Sequence, residues 1–478
     1  MQPTISPEPE MTKSYADEIE VCSEDRGTIV NIDSEMEKRL VRKMDRKLLP
    51  LLAVIYLLCY LDRGNIGNAK ILNSSTRDDM MTTNHMTNYE FTVALMCFLV
   101  AYSIFEIPSN LVLKSMSPSR WISFLVVAFG AICAAIGGTK NFAGVAGLRF
   151  VLGAAEAGVF PGLIFYLSFW YKSEERATRI AAFLCSASLA GAFGGALAFG
   201  VGHMNGAGGL EGWRWLFILE GVVTVAVGLF CFWYLPNYPE TCTWLTAEEK
   251  ALSARRLGLT ATEAEDKINW PDAKATLKTW SLWVHYVIYF GAGCAITSLS
   301  LFAPTIVAGL GYKDLHAQLF TIPPFAIAYI FTIGTAFLSD HYHSRGIIGG
   351  CGTIVGSLGF AISAALPSQS YTARYVVLII ATSGAFSALP ALVAWVGDNL
   401  HNSTASSLAT AINIAFSGPG QIIGIWVYRA QDKPFYRLGH AVNAGVLLLS
   451  SILCFVLTVH YRNLNKKLAG TNQRRYVS

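Results

Sequence analysis

Charged side chains are scarce in this chain. They make up 14% of its 478 residues, where a soluble globular protein usually carries about 25%. So few charges cannot coat a water-facing surface of that size. The net charge of +4 carries no nucleic-acid signal. Ten cysteines are present, but no CxxC pair and no Cys/His cluster with zinc spacing. Most sit in apolar stretches (Cys59, Cys97, Cys133, Cys185, Cys231, Cys294, Cys351, Cys454) and read as small packing residues, so no metal site is expected. A nucleophile elbow, a Walker loop, a dinucleotide fingerprint and an HExxH motif are all missing, which argues against an enzyme and against an ATP-driven pump. The nearest glycine-rich run, Gly191-Ala192-Phe193-Gly194-Gly195, lies inside an apolar stretch and reads as helix packing. No cofactor is expected. No cleavable signal peptide is visible either, because the first 45 residues are polar.

What the chain does have is apolar residues, 53% of the total, gathered in blocks. At about 1.5 Å per residue, a block of roughly 20 residues crosses a hydrocarbon core of roughly 30 Å. Inside lipid the backbone must satisfy its own hydrogen bonds, so each block is expected to be a helix. The blocks are 47–69, 89–113, 120–139, 142–170, 177–203 and 213–235, then 281–310, 316–340, 346–366, 372–397, 404–428 and 437–461. The expected organisation is a largely disordered tail (1–45), a six-helix half (46–235), a charged central loop (236–280), a second six-helix half (281–461) and a short tail (462–478). An all-α membrane protein of twelve transmembrane helices in two parallel halves is the major facilitator arrangement.

Lys and Arg concentrate in the basic run before the first block, the 114–120 and 172–179 loops, the central loop and the C-terminal tail. The positive-inside rule then places both termini in the cytoplasm. On that topology the 70–88 loop faces outward and carries the sequon Asn73-Ser74-Ser75, a tripeptide common by chance and here close to the membrane.

A charge at mid-membrane costs about 2.5 to 3.5 kcal/mol or more unless paired or hydrated. Those inside the blocks are therefore the informative residues. Asp62 and Arg63 lie late in the first block, Arg149 and Glu156 in the fourth. Arg149 and Glu156 are nearly two turns apart on one helix face. Gly147, Gly153 and Gly158 would let a neighbour approach that face. An arginine can hold a carboxylate in two parallel hydrogen bonds. Proton uptake by Asp62 or Glu156 would free an arginine from an internal ion pair and so link proton binding to anion binding. The competing reading is two static ion pairs that tie helices together.

The stretch Tyr60-Leu61-Asp62-Arg63-Gly64-Asn65-Ile66-Gly67-Asn68-Ala69-Lys70 resembles the first-span signature of the anion:cation symporter family, most closely its fungal allantoate and nicotinate permease branch. Arg149 through Pro161-Gly162, Trp170-Tyr171, Glu175-Arg176, Gly212 through Gly221, and Leu235-Pro236-Asn237-Tyr238-Pro239-Glu240 are similar to further parts of that family. The resemblance runs over roughly 45–460. It implies proton-coupled symport of a small carboxylate such as a vitamin, ureide or sugar acid, by a monomer in the plasma membrane. By the same resemblance Asp62 and Glu156 titrate, Arg63 engages substrate, and Arg149 organises Glu156. A non-transporting nutrient sensor and an uncoupled facilitator are the alternatives.

The superfamily pattern Gly-x-x-x-Asp-Arg is absent between the second and third blocks, where Pro108 through Arg120 stands instead. In the second half Ser339-Asp340-His341-Tyr342-His343-Ser344-Arg345 keeps an acid and an arginine, read equally as a latch on helix ends in one state or as a loop of solvated charges. His341 and His343 read as solvated. Asn413 and Gln421, around the break Gly418-Pro419-Gly420, are candidate substrate contacts, with packing an equal reading. His285, Tyr286 and Tyr289 are candidate cavity-lining residues, with packing the stronger reading.

Overall fold

Apolar blocks without water have one local solution, and a computed structural model shows it: among the described residues every long element is an α-helix. The described residues are 11–264, 270–312, 314–367, 369–400, 403–468 and 476–477. The helices are α1 (Met11–Ala69), α2 (Asn88–Ser115), α3 (Pro118–Ile136), α4 (Phe142–Ser168), α5 (Thr178–Gly202) and α6 (Gly212–Tyr234). The second set is α7 (Trp280–Gly309), α8 (Asp314–His341), α9 (Arg345–Ala365), α10 (Tyr371–Asp398), α11 (Ser403–Trp426) and α12 (Arg437–Lys467). Among the described residues eleven helices are long and apolar enough to cross a membrane. The twelfth expected span, 47–69, lies in α1, which also carries a long charged segment and is not among the eleven.

Pairing repeats between the two sets. α1 packs on α5, α2 on α4 and α3 on α6; α7 packs on α11, α8 on α10 and α9 on α12. The halves meet through α1 with α7, α5 with α8 and α2 with α11. Glycine makes these seams close. A Cβ on Gly67 would stand 2.2 Å from the Leu301 carbonyl oxygen, and one on Gly195 would stand 2.9 Å from that of Gln318.

Two differences from the sequence reading concern the polar segments. Helix α1 begins at Met11, inside the stretch expected to be a largely disordered tail. That stretch is rich in Glu, Lys, Arg and Met, all good helix formers, and its three prolines are confined to residues 1–10, outside the described residues. The central loop is also partly helical, with Ala247–Ala264 and Trp270–Lys278 on either side of residues 265–269, which lie outside the described set. Of the C-terminal tail, 469–475 and 478 likewise lie outside it.

The central loop is bound to the first half by charge. Arg256, buried, donates from Nε to Glu37 at 2.7 Å and from Nη2 to Glu175 at 2.6 Å. Lys172 joins Glu37 at 2.7 Å, and Lys43 joins Glu249 at 2.6 Å. The Lys172 ammonium, with Arg256 beside it, holds the Glu37 carboxyl below its ordinary value of 4.5 despite partial burial. A carboxyl lowered in the fold stabilises fully above the ordinary glutamate range and loses that contribution as the pH falls through the lowered value. Replacing Arg256 with Gln should therefore lower unfolding stability by about 1.5–3 kcal/mol at neutral pH, the usual worth of hydrogen bonds to charged groups. Glu37→Gln should flatten the fall in stability below about pH 4.5. Thermal unfolding of the purified protein across pH checks both.

Candidate functional site

Five buried ionisable side chains of the first half converge where α1, α4 and α6 meet. Asp62 and Arg63 come from α1, Arg149 and Glu156 from α4, and Glu220 from α6; the four other than Arg63 are 0–3% exposed. Arg63 Nε donates to Glu156 Oε2 at 2.7 Å. The Arg63 guanidinium also lies 4.5 Å from the Tyr102 ring centroid and 5.3 Å from those of Tyr60 and Phe98, so three aromatic faces surround it. Arg149 Nη2 reaches the Asp62 backbone carbonyl at 3.5 Å, and its guanidinium lies 5.6 Å from the Phe217 ring. Both Asp62 carboxylate oxygens, Arg149 Nε, Glu156 Oε1 and Glu220 Oε1 are buried without a hydrogen-bond partner.

Local backbone chemistry places these groups. Helix α4 breaks at Ala157 and Gly158, directly after Glu156. Pro161 has no N–H and crowds the carbonyl four residues back, at Ala157, which accounts for the break. Gly153 and Gly158 let α4 press on α2: a Cβ on Gly153 would stand 2.2 Å from the Phe98 carbonyl oxygen, and one on Gly158 would stand 1.8 Å from Ser109 Oγ. Gly147, expected to act in the same way, faces open space.

The four charges predicted from sequence are thus brought together, but with different partners. Spacing along α4 puts Arg149 and Glu156 on one face. Even so, Glu156 bonds Arg63 across to α1, while Arg149 bonds the backbone of Asp62. Glu220 was missed. Its carboxylate accepts from Asn65 Nδ2, and Asn68 Nδ2 donates to Asn65 Oδ1 at 2.9 Å. The signal for it was the same as for the others, an acid inside the apolar block 213–235. Asp62, Cys133 and Glu220 present ligand atoms within 4.8 Å of one another, two carboxylates and a thiol that could hold a proton or a cation between them.

The second half contributes neutral groups. Asn413 is 1% exposed with Oδ1 unpartnered, and Gln421 donates to Ser417 Oγ at 2.9 Å within α11. Among the described residues no hydrogen bond links either to the charged cluster. His285 is core: Nε2 lies 3.2 Å from the Tyr461 hydroxyl, and the ring packs on Trp395. Tyr286 stacks on Phe416, whereas Tyr289 lies within electrostatic range of Tyr60, Tyr102 and Glu106. His341 and His343 are exposed. Arg345 pairs with Asp340, and its Nε also donates to Asp398 at 3.0 Å, so one guanidinium ties the ends of α8, α9 and α10. Asp398, one residue past the apolar block 372–397, was the missing third member.

A sequence model of the Major Facilitator Superfamily matches residues 52–425. The chain belongs to that superfamily. It is a membrane transporter of a small-molecule substrate and not an enzyme. Among curated proteins it is 49% identical over 439 residues to the MFS transporter prlL of Fungal sp. (strain NRRL 50135), covering 91% of this chain and 89% of that one. It is 29% identical over 453 residues to the high-affinity nicotinic acid transporter of Saccharomyces cerevisiae, covering 94% and 83%. The major facilitator-type transporter hxnP of Emericella nidulans is 31% identical, covering 86% and 82%. These relatives place the chain in a fungal permease-like branch. Among solved structures, a bacterial homologue of the human lysosomal transporter Spinster, inward-facing and unoccupied, superposes with a TM-score of 0.60 at 15% identity, over 86% of this chain and 95% of that one.

The glycine contacts generate a prediction. Gly153→Ala forces α4 off α2 and should cost about 1–3 kcal/mol, as overpacking does, while Gly147→Ala should be tolerated. Comparing the thermal unfolding of the two purified variants checks this.

Proposed function

We propose that the chain is a proton-coupled symporter of a small organic anion, with Arg63 as the substrate contact and Glu156 as the proton carrier. The supporting observation is the Arg63–Glu156 ion pair at 2.7 Å in a buried, aromatic-walled site. A proton taken up at Glu156 removes its charge and leaves the guanidinium of Arg63 without a counterion. A substrate carboxylate then replaces Glu156 in two parallel hydrogen bonds. Release of that proton on the opposite side of the membrane recharges Glu156, which re-forms the internal pair and expels the anion. Each ligand thus favours binding of the other, as linkage requires. Tyr60, Phe98 and Tyr102 suit a substrate with a flat apolar body behind its carboxylate. Asp62 and Glu220 lie so close that their charges repel unless a proton or cation sits between them, which makes them a second point of ion coupling. Arg149, beside Asp62, supplies positive charge to both acids. The neutral Asn413 and Gln421 of α11 are the proposed contacts from the second half.

The Asp340–Arg345–Asp398 cluster is the proposed gate, holding the ends of α8 to α10 in the state seen here and releasing them in the other. On the positive-inside bias these ends, both termini and the central loop face the cytoplasm. A plasma-membrane monomer driven by the proton gradient completes the reading.

Uptake of radiolabelled carboxylates into proteoliposomes tests it. With an imposed inward proton gradient, one or more of a panel of vitamin, ureide and sugar-acid carboxylates should accumulate, and a protonophore should collapse that accumulation. Binding without accumulation would make the protein a sensor. Accumulation indifferent to the protonophore would point to sodium coupling or a facilitator. Arg63→Ala should weaken anion binding by at least roughly 30-fold, the low end for truncating a buried charge partner. Glu156→Gln should keep exchange and lose gradient-driven accumulation.

A further inference from the structure

A second polar site lies at the end of the molecule that carries the 70–88 loop. A cavity of about 570 Å³ opens there between the halves. Its polar lining includes Lys70 just beyond α1, His85 of the 70–88 loop, Thr305 of α7 and Lys433 of the loop before α12. The rest of the wall is mixed: Ile71, Met86 and Pro434 are apolar, while Ser74, Asp79 and Asn88 are polar. Burial, and after it the charge of Lys433, lowers the pKa of the Lys70 ammonium from its ordinary value of 10.5. Among the described residues neither forms an ion pair with a carboxylate, and Lys70 instead lies over the rings of Phe91 (4.6 Å) and Phe302 (5.7 Å). The acid in the wall, Asp79, is committed elsewhere: its oxygens accept from Met81 N, Thr82 N and Thr82 Oγ1. Thr305 is 6% exposed, and its hydroxyl has no partner.

We propose that this cavity is an anion-collecting vestibule, a second site that binds an organic monocarboxylate before it reaches Arg63. The two ammonium groups take the carboxylate, Thr305 Oγ1 supplies a further hydrogen bond, and the apolar part of the wall covers the body of the ligand. A volume of this size is typical of sites for whole organic molecules rather than bare inorganic ions. Two lysines outnumber the one wall carboxylate, and an excess of positive charge in a cleft raises the local concentration of anions. Position along the chain supports a staged path. Lys70, one residue past the end of α1, follows Arg63 by seven residues, about 10 Å along the helix direction. Between them Gly67 presses on Leu301 of α7, where a Cβ would stand 2.2 Å from the carbonyl oxygen. The vestibule therefore lies just outside a closed contact between the halves, with the Arg63 site beyond it. Only the choice of ligand rests on the organic-anion reading above.

Pyridoxal 5′-phosphate, an anionic aldehyde that forms an imine with lysine and is trapped by borohydride, is the probe. The purified full-length protein is labelled and the label at Lys70 quantified by peptide mass spectrometry. Lys70 should be labelled. Benzoate or nicotinate at ten times its dissociation constant should reduce that label about tenfold by simple occupancy, while benzamide, nicotinamide and inorganic phosphate at equal concentration should not. Protection should persist in Arg63→Ala and weaken in Lys433→Gln. An unlabelled Lys70, no protection by either carboxylate, equal protection by the amides or phosphate, or loss of protection in Arg63→Ala would each overturn the vestibule. Protection in Arg63→Ala needs no transport, so failure of the transport reading would show separately, as protection without proteoliposome uptake.

Discussion

An ionised side chain buried in a membrane protein must find its counter-charge inside the protein, and this requirement organises the centre of the molecule. Arg63 and Glu156 come from helices α1 and α4 and satisfy each other at 2.7 Å. Neither is stable there alone, since an uncompensated buried charge costs several kcal/mol. A pair of this kind adds little net stability compared with apolar residues of the same shape. On the proposed mechanism it is a switchable contact rather than a fastener. The Arg256 network on the central loop is the contrast: it joins polar segments outside the spans and holds one element against another.

Reach is the second constraint. Glu156 meets Arg63 only because α4 can press on α2 through Gly153 and Gly158 and then breaks after Glu156. The aromatic faces of Phe98 and Tyr102 come from that same stretch of α2, so the packing that brings up the acid also brings up the wall around the arginine. Unpartnered oxygens on Asp62, Glu156 and Glu220 mark where hydrogen-bonding capacity remains for a proton, a cation or substrate.

Much of this was legible in the sequence, for identifiable reasons. Span positions follow from block length, and Asp62, Arg63, Arg149 and Glu156 stand out because charge in lipid is expensive. Glu220 obeys the same rule and was passed over because it stands in an otherwise familiar motif at the start of α6. The pairing scheme was not legible. Helical spacing reports which side chains share a face on one helix, whereas Arg63 with Glu156 is a contact between helices, set by glycine packing that one-dimensional periodicity does not carry. The helix from Met11 was hidden for another reason. A charged segment without a sustained apolar stripe gives no periodic signal even when it is rich in helix-favouring Glu, Lys, Arg and Met.

The location of the cluster bears on how a local change could move whole halves. Arg63 is adjacent to Gly64 and one turn from Gly67, the two α1 positions that touch α7 at Ser300 and Leu301. On the proposed mechanism, the change of partner at Arg63 from Glu156 to a bound anion would take place beside the seam between the halves. At these two positions glycine meets backbone, so displacement of α1 at this point passes directly to α7. Close-packed contacts of this kind adjust in steps rather than by gradual deformation. On the proposed mechanism the ion pair and the seam act on one stretch of α1, which gives proton binding a physical route to the relative position of the two halves.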